Sequence, residues 1–280
     1  MEENKKIELN ISASIVLYNN DVEELKTAIL CLLDTKRIDT LFLIDNSPIN
    51  TLIFLEETSN KIKYIHNPTN PGFGAAHNLA INKAIALNAD YHLVVNPDIS
   101  FNGDILTPMI NYMKNDETIG MMMPQILNLD GSIQNLPKLL PSPYRVLMRK
   151  LKKPKIVYND FINNYELRFV NKDMIYNAPI LSGCFTLLNL EAIKKVGLYD
   201  DAFFMYFEDW DLSRRMHQKY KTIYFPEVSV YHGYNSGANK SRKLFKVFIN
   251  SAFTYFNKWG WFFDLERSQI NKNTLNRLKQ

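Results

Sequence analysis

The feature that most constrains this chain is the rhythm of its first hundred residues, where apolar runs of strand length alternate with amphipathic runs of helix length. "ISASIVLY", "TLFLIDNS", "IKYIHN" and "YHLVVNPD" are the short runs, separated by Asp21 to Leu33, Ile53 to Asn60 and Ala75 to Leu87. Strands alternating with helices predict a largely parallel sheet covered on its faces by helices, the α/β class. Asp21 reads as an N-cap with Glu24 three residues on, and Val22, Leu25, Ile29 and Leu33 share one stripe of the helix that follows. Such sheets bind ligands at the carboxyl ends of their strands. The candidates are therefore Tyr18 and Asn19 after the first strand, Asp45 and Asn46 after the second, and Asn96-Pro97-Asp98 after the fourth.

Pro97 cannot donate to a sheet ladder and pushes Asn96 into an extended conformation, so it fixes the corner from which Asp98 points. By itself the corner is as much a turn as a ligand-holder, because Asn, Pro and Asp are all turn formers. Asp45 can accept a base N–H or a ribose hydroxyl, or simply cap the loop Asn46-Ser47-Pro48. Gly72 and Gly74 precede a helix and let backbone amides approach a phosphate, with His77 and Asn78 in its first turn, although the spacing is neither a P-loop nor a complete dinucleotide fingerprint. "FEDWDLSRR" packs three acids into one turn. The helix dipole predicts that Glu208 and Asp209 are ionised at neutral pH, inside an apolar wall of Phe203, Phe204, Met205, Tyr206, Phe207 and Trp210. Asp211, four residues before Arg215, reads as half of a helix-surface ion pair. His232 ends an apolar strand, where a histidine is more often a core or loop residue than a ligand.

From Met123 to Asn177 five prolines break the periodicity, predicting a long irregular excursion with one short basic helix. Order returns at "APILSGCFTLLN", a helix from Leu190 to Val196, a helix starting near Glu208 and a strand pair in "KTIYFPEVSVYHG". Cys31 and Cys184 give neither a disulfide framework nor a metal cluster and suit a reducing cytoplasm. The N-terminal charges precede too short an apolar run for a signal peptide, and no stretch approaches the roughly 20 apolar residues that cross a bilayer. The net charge of +4 is modest, but cations gather at Arg145 to Lys155 and Lys240 to Lys246, which suggests an acidic partner surface.

Read in order, "IVLYNND", "FLIDNSP", "NPGFGAAHNLAI", "LVVNPDI", "LSGCFTLLNLEAIKKVGLYDDAFFMYFEDWDLSRR" and "PEVSVYH" make the chain, over about residues 11 to 235, resemble the family 2 inverting glycosyltransferases, specifically the bacterial rhamnosyltransferase branch. The resemblance implies the GT-A nucleotide-sugar-binding fold and a divalent ion, Mg²⁺ or Mn²⁺, held by a D-x-D motif on the donor diphosphate. Here Asn96 stands where many members have the first aspartate, leaving Asp98 as the carboxylate. The resemblance adds His232 as a second metal ligand, Asp209 as the base that deprotonates the acceptor hydroxyl, with Glu208 as the alternative, and dTDP-L-rhamnose as the donor. It places Tyr18, Asn19, Asp45, Gly72, Gly74, Asn78, Asn96 and Asp98 on the donor side and Ser182, Gly183 and Trp210 on the acceptor side. The expected partners are a nucleotide sugar, a glycan or lipid-linked glycan acceptor and an anionic membrane surface, with no nucleic acid. Rival readings are a nucleotidyltransferase, which would carry a Gly- and Lys-rich phosphate grip absent from "LYNNDVEEL", and a non-catalytic binding module, against which Asp98, Glu208 and Asp209 argue.

The domain expectation is a flexible stretch over 1–10, a catalytic domain over 11–235 and a helical extension over 236–280. In the extension Leu244, Phe248, Ala252, Tyr255, Phe256 and Trp259 recur at helical spacing, flanked by Arg242, Lys243, Lys246 and Lys258. An apolar stripe rimmed by cations and ending in aromatics predicts peripheral docking on the inner face of the plasma membrane.

Overall fold

The computed structural model describes residues 9–151, 155–233 and 241–279. The first strands are β1 (Ile11–Leu17), β2 (Thr40–Asp45), β3 (Ile62–His66) and β4 (Tyr91–Val95), joined by α1 (Val22–Asp34), a 3-10 helix (Ile53–Thr58) and α2 (Phe73–Ala86). All the predicted elements of this half form, and they form for the expected reasons. Asp21 caps α1 by accepting from the Glu23 and Glu24 amides at 2.9 and 3.2 Å. Leu25, Ala28, Ile29 and Leu32 bury its inner stripe.

The chain continues through β5 (Ile99–Ser100), α3 (Leu106–Lys114), β6 (Ile119–Leu127), α4 (Pro143–Leu151), α5 (Lys155–Tyr165), β7 (Tyr176–Asn177), β8 (Phe185–Asn189), α6 (Leu190–Val196), α7 (Glu208–His217) and β9 (Lys221–His232). One nine-stranded sheet among the described residues has the order β3-β2-β1-β4-β8-β6-β9-β5, with β7 on β9. β1 to β4, β6 and β9 run parallel and β8, β5 and β7 run against them. The central strands are buried on both faces, as a sheet covered by helices requires. The strand pair expected around Pro226 is one bulged strand, its register on β6 slipping between Phe225 and Ser229. The excursion is also more ordered than its prolines suggest, since β6 claims its start and α4 and α5 fill its middle.

The C-terminal segment forms α8 (Arg242–Trp259) and α9 (Leu265–Leu278), the second unpredicted. Gly260 ends α8 at φ +96, a left-handed conformation that suits glycine. The stripe predicted to face a membrane is the buried one: Ala252, Tyr255 and Phe256 join Phe203, Phe207, Trp210, Leu140 and Ile180 in a second core cluster. Each fully buried aromatic of this kind stabilises by roughly 1.5–3 kcal/mol, so the apolar stripe is better satisfied by protein than by lipid. Arg214, 1% exposed, reaches into the extension to bind Asp264 through both terminal nitrogens at 2.8 and 2.9 Å, with Glu266 at 2.7 Å. Asp211 is not on the surface: fully buried, it accepts from Arg215 Nε at 2.8 Å, from Trp259 Nε1 at 2.8 Å and pairs with Lys258 at 2.9 Å. Lys258, expected at a membrane rim, is thus engaged by Asp211 and Asp200. Lys152, Lys153 and Lys240 lie outside the described residues.

Candidate active site

The carboxyl edge of β1, β2 and β4 gathers the expected residues. Tyr18 is 51% exposed at the end of β1, and Asn19, at φ +50, donates its amide to Ser47 Oγ at 2.9 Å. Asp45 ends β2 fully buried, its Oδ1 accepting from the Ser47 amide at 2.9 Å and its Oδ2 from the Tyr64 hydroxyl at 2.5 Å. The carboxylate in turn raises the Tyr64 phenol, which burial already pushes up. Asp45 is therefore oriented by protein donors, with lone pairs left for a ligand.

At the next corner the pairing of β5 with β9 sets Ile99 opposite His232 and so brings His232 to Asp98. His232 Nε2 lies 3.3 Å from Asp98 Oδ1 and accepts from Asn96 Nδ2 at 3.3 Å. Gln134 fixes the histidine's tautomer. Its Nε2 donates to the carbonyl of His232 at 3.0 Å, so Oε1 faces Nδ1 at 3.1 Å and Nδ1 carries the proton. The Nε2 lone pair, which accepts from Asn96 Nδ2, lies at the same corner as the carboxylate. Asp98 Oδ1 and Asn96 Oδ1 are both buried with no hydrogen-bond donor, the Asp98–His232 contact lacking hydrogen-bond geometry. Glu24 stands close by, its carboxyl raised by burial and then by the Asp98 charge. Two buried oxygens and an imidazole nitrogen are hard-cation donors. Among the described residues no group of three His, Cys, Asp or Glu side chains could hold a metal, so the corner is a partial ligand set.

The acids of α7 are presented by a strained approach. Tyr206 and Phe207 both sit at left-handed φ, +70 and +67, which costs on the order of 1–3 kcal/mol each for such residues. The surroundings hold them there. Phe73 N donates to Phe204 O at 2.8 Å and Ser251 Oγ to Met205 O at 2.7 Å. Gly72, at φ +109, lets the loop come this close, since a Cβ there would lie 2.2 Å from Phe204 O. A Cβ on Gly74 would lie 2.9 Å from Tyr199 Cβ, and the Asn78 amide bonds Tyr199 N and O and Asp201 at 2.8–3.0 Å. The structure thus shows Gly72, Gly74 and Asn78 holding the loop before α7. His77 is buried behind them and bonds Ser14 Oγ at 2.7 Å.

Asp209 Oδ2 accepts from the Gly183 amide at 3.2 Å and Oδ1 from its neighbour Trp210 at 2.9 Å. Burial raises Asp209, against the opposing pull of Lys138 and of these N–H groups. Glu208, 5% exposed, is pushed well above the usual carboxylate range by burial and then by the Asp209 charge, and its Oε2 has no partner. The dipole argument for two ionised acids fails here because desolvation outweighs it. Of the two, Asp209 alone has a cation, Lys138, opposing that push. Trp210, 8% exposed, packs edge-on against Phe207 at 4.5 Å and belongs to the second core. Ser182 is half-buried beside Gly183, its carbonyl accepting from Thr186 at 2.6 Å. Gln134 and the buried Lys138 are members of this region that sequence patterns leave unmarked, since neither lies on a periodic stripe or in a motif, and Glu24 is marked only as part of the helix cap.

A mixed, mostly parallel sheet flanked by helices, with these acids gathered at one edge, is the architecture of the GT-A fold. The model of the family described as Glycosyl transferase family 2 matches residues 12–197, and the chain belongs to that family. It is 25% identical over 212 residues to the N-acetylglucosaminyl-diphospho-decaprenol L-rhamnosyltransferase of Mycobacterium tuberculosis, covering 71% of this chain and 68% of the relative. It is 24% identical over 202 residues to the rhamnosyltransferase WbbL of Escherichia coli, covering 66% and 69%. These relatives agree with the rhamnosyltransferase branch indicated by the sequence motifs. Among solved structures, GalNAc-T7 with UDP, GalNAc and Mn²⁺ is similar at a TM-score of 0.64 and 17% identity, over 89% of this chain. This chain spans about half of that one, 48%. TarS 1-349 of S. aureus in complex with UDP gives a TM-score of 0.55 at 15% identity, over 96% of this chain and 71% of that one. At these identities the structural likeness shows the fold.

Proposed function

We propose that this protein transfers L-rhamnose from dTDP-L-rhamnose to a hydroxyl of a lipid-linked glycan, inverting C1. One linkage carries the reading: Asn96 N donates to Cys184 O at 2.8 Å, and the adjacent Gly183 N donates to Asp209 at 3.2 Å, so one backbone step joins the Asp98 corner to the ionised acid of α7. An inverting displacement needs both, a place for the leaving diphosphate and a base on the attacking side.

In this mechanism Asp209 takes the acceptor hydroxyl's proton as its oxygen forms the new bond to C1. The bond from C1 to the diphosphate oxygen breaks and its electron pair leaves with the nucleoside diphosphate. A single displacement inverts the centre and needs no covalent enzyme nucleophile. Glu208, its carboxyl raised by burial and then by the Asp209 charge, is the poorer base of the two. Asp98, His232 and the Asn96 carbonyl oxygen would hold Mg²⁺ or Mn²⁺, which when bound offsets charge on the diphosphate. Tyr18, Asn19 and Asp45 form the nucleoside side, with Gly72, Gly74 and Asn78 bracing the donor turn. Ser182 and Gly183 line the acceptor side, and Trp210 backs it.

The acceptor class draws support from the decaprenol-linked substrate in the M. tuberculosis relative's name. No helix among the described residues is long and apolar enough to cross a membrane. Peripheral docking on a cytoplasmic leaflet finds support on a different face from the predicted one. Phe245, Ile249 and Phe253 form an exposed row on α8, and Tyr144, Leu147 and Leu151 another on α4, with Phe262 and Phe263 79% and 97% exposed. Lys150, stacked 4.6 Å over Phe248, joins the two helices. Incubation with a panel of sugar nucleotides and Mg²⁺ or Mn²⁺ tests the function: turnover of dTDP-L-rhamnose to an inverted glycoside is expected, and binding without turnover of any donor would make the chain a binding module.

A further inference from the structure

Lys138 is 3% exposed, which is rare for lysine, and lies on the acceptor-side excursion outside every sequence motif. Its backbone pairs with Ile180 through bonds of 3.2 and 3.1 Å, fixing it beside the turn whose Gly183 amide binds Asp209. Its ammonium lies 5.2 Å over the ring of Trp210, the residue after Asp209. A buried ammonium needs an anion. The charged groups around it are Arg149 from α4, Glu166 from the turn after α5, Asp209 from α7 and the Cys184 thiol. Glu166 is already spent on two guanidinium groups, Arg149 Nε at 3.0 Å and Arg168 Nε at 2.9 Å. That leaves Asp209 as the carboxylate with no other side-chain cation. Asp209 otherwise faces Glu208, the Tyr165 and Tyr199 phenols and Cys184, none of which favours its charge.

We propose that Lys138 is a positioning residue that keeps Asp209 ionised in its buried setting while Glu208 stays protonated. The electrostatics agree in both directions: Lys138 heads the influences that pull Asp209 down, and burial and Arg149 lower Lys138 itself only to about 8, leaving it charged at neutral pH. Of these two adjacent buried acids only Asp209 feels the cation, so the cation favours the charge on Asp209 rather than on Glu208. Removing it moves Asp209 protonation to higher pH, so activity is lost first on the acid side.

The inference rests on Asp209 being the base, so the test pairs two variants. The pH dependence of kcat/KM is measured for the wild type, Lys138→Met, Lys138→Arg and Asp209→Asn, with thermal melts confirming the fold. The expected result is an acid limb displaced upward by about one pH unit or more in Lys138→Met, recovery of rate toward the alkaline plateau, and a limb near the wild-type position in Lys138→Arg. Should Lys138→Met not fold, Lys138→Gln carries the same reading. An unmoved limb, with the rate either unchanged or reduced equally at every pH, would overturn the proposal while leaving Asp209 as base. Full activity of Asp209→Asn would overturn both.

Discussion

The backbone amide of Gly183 holds the carboxylate of Asp209 at 3.2 Å, and the two residues leave no space between them: a Cβ on Gly183 would lie 3.3 Å from Asp209 Cβ. Residues from β8's approach and from α7 are thereby fixed relative to each other, and the Asp98 corner is fixed to the same turn through Cys184.

Gly183→Ala therefore displaces Asp209, the proposed base, by a fraction of an ångström without removing it. Rate losses of about 10² follow small misplacements of reacting groups. A fall in kcat of about 10-fold to 10²-fold, with Tm nearly unchanged, is expected from steady-state kinetics and thermal melts. Wild-type kcat would mean that Asp209 has no positional demand.

At the corner proposed to hold the metal, Asp98→Ala and His232→Ala are expected to abolish Mn²⁺ binding measured by calorimetry in the presence of nucleoside diphosphate. Gln134→Leu, which frees the histidine's tautomer, is expected to weaken it by about 10-fold to 10²-fold, the usual effect of losing a residue that orients a ligand. Unaltered Mn²⁺ affinity in Asp98→Ala would move the metal elsewhere.

The extension is held by a buried ion pair, so its removal exposes more than an apolar stripe. Asp264→Ala leaves the buried Arg214 with Glu266 as its one carboxylate among the described residues, beside the Trp259 ring, and breaking such a pair costs about 3–5 kcal/mol. Urea unfolding is expected to show that loss for Asp264→Ala and a smaller one for the double variant Arg214→Met, Asp264→Leu. Equal losses would show that packing, not charge, fastens the helices.

Membrane docking is tested by substituting exposed residues, because truncating the tail would unfold its packing. Phe253→Ser, Phe262→Ser and Phe263→Ser together are expected to abolish sedimentation with vesicles of anionic phospholipid at low salt, with Tm unchanged. Undiminished sedimentation of this variant would place the contact on another face.

How much of this was legible in the sequence follows from what makes each signal local. The strands β1 to β4, the Asp21 cap and the Leu190–Val196 helix depend on periodicity and neighbours within a few residues, and they form where expected. The approach of Asp98 to His232 is created by a two-residue strand pairing across the far edge of the sheet, so residue types hinted at it only through family resemblance. Lys138 and Gln134 sit among prolines, where a lysine reads as solvated and a glutamine as loop, and only tertiary packing turns them into a buried cation and a histidine holder. The α8 stripe was correctly apolar, but periodicity records a face and not what covers it; Tyr255 and Phe256 meet Phe207. Burial opposes the ionisation of Glu208 that the helix dipole favours, because a dipole can be read from position in a helix, whereas desolvation depends on residues distant in sequence.

The central claim is that Asp209 is the base of an inverting glycosyl transfer, and Asp209→Asn tests it most directly because the amide keeps the shape and cannot take the proton. Single-turnover transfer from dTDP-L-rhamnose should fall by about 10²-fold to 10⁴-fold while donor affinity, measured by calorimetry, stays within a few-fold of wild type. Transfer at the wild-type rate by Asp209→Asn would contradict it.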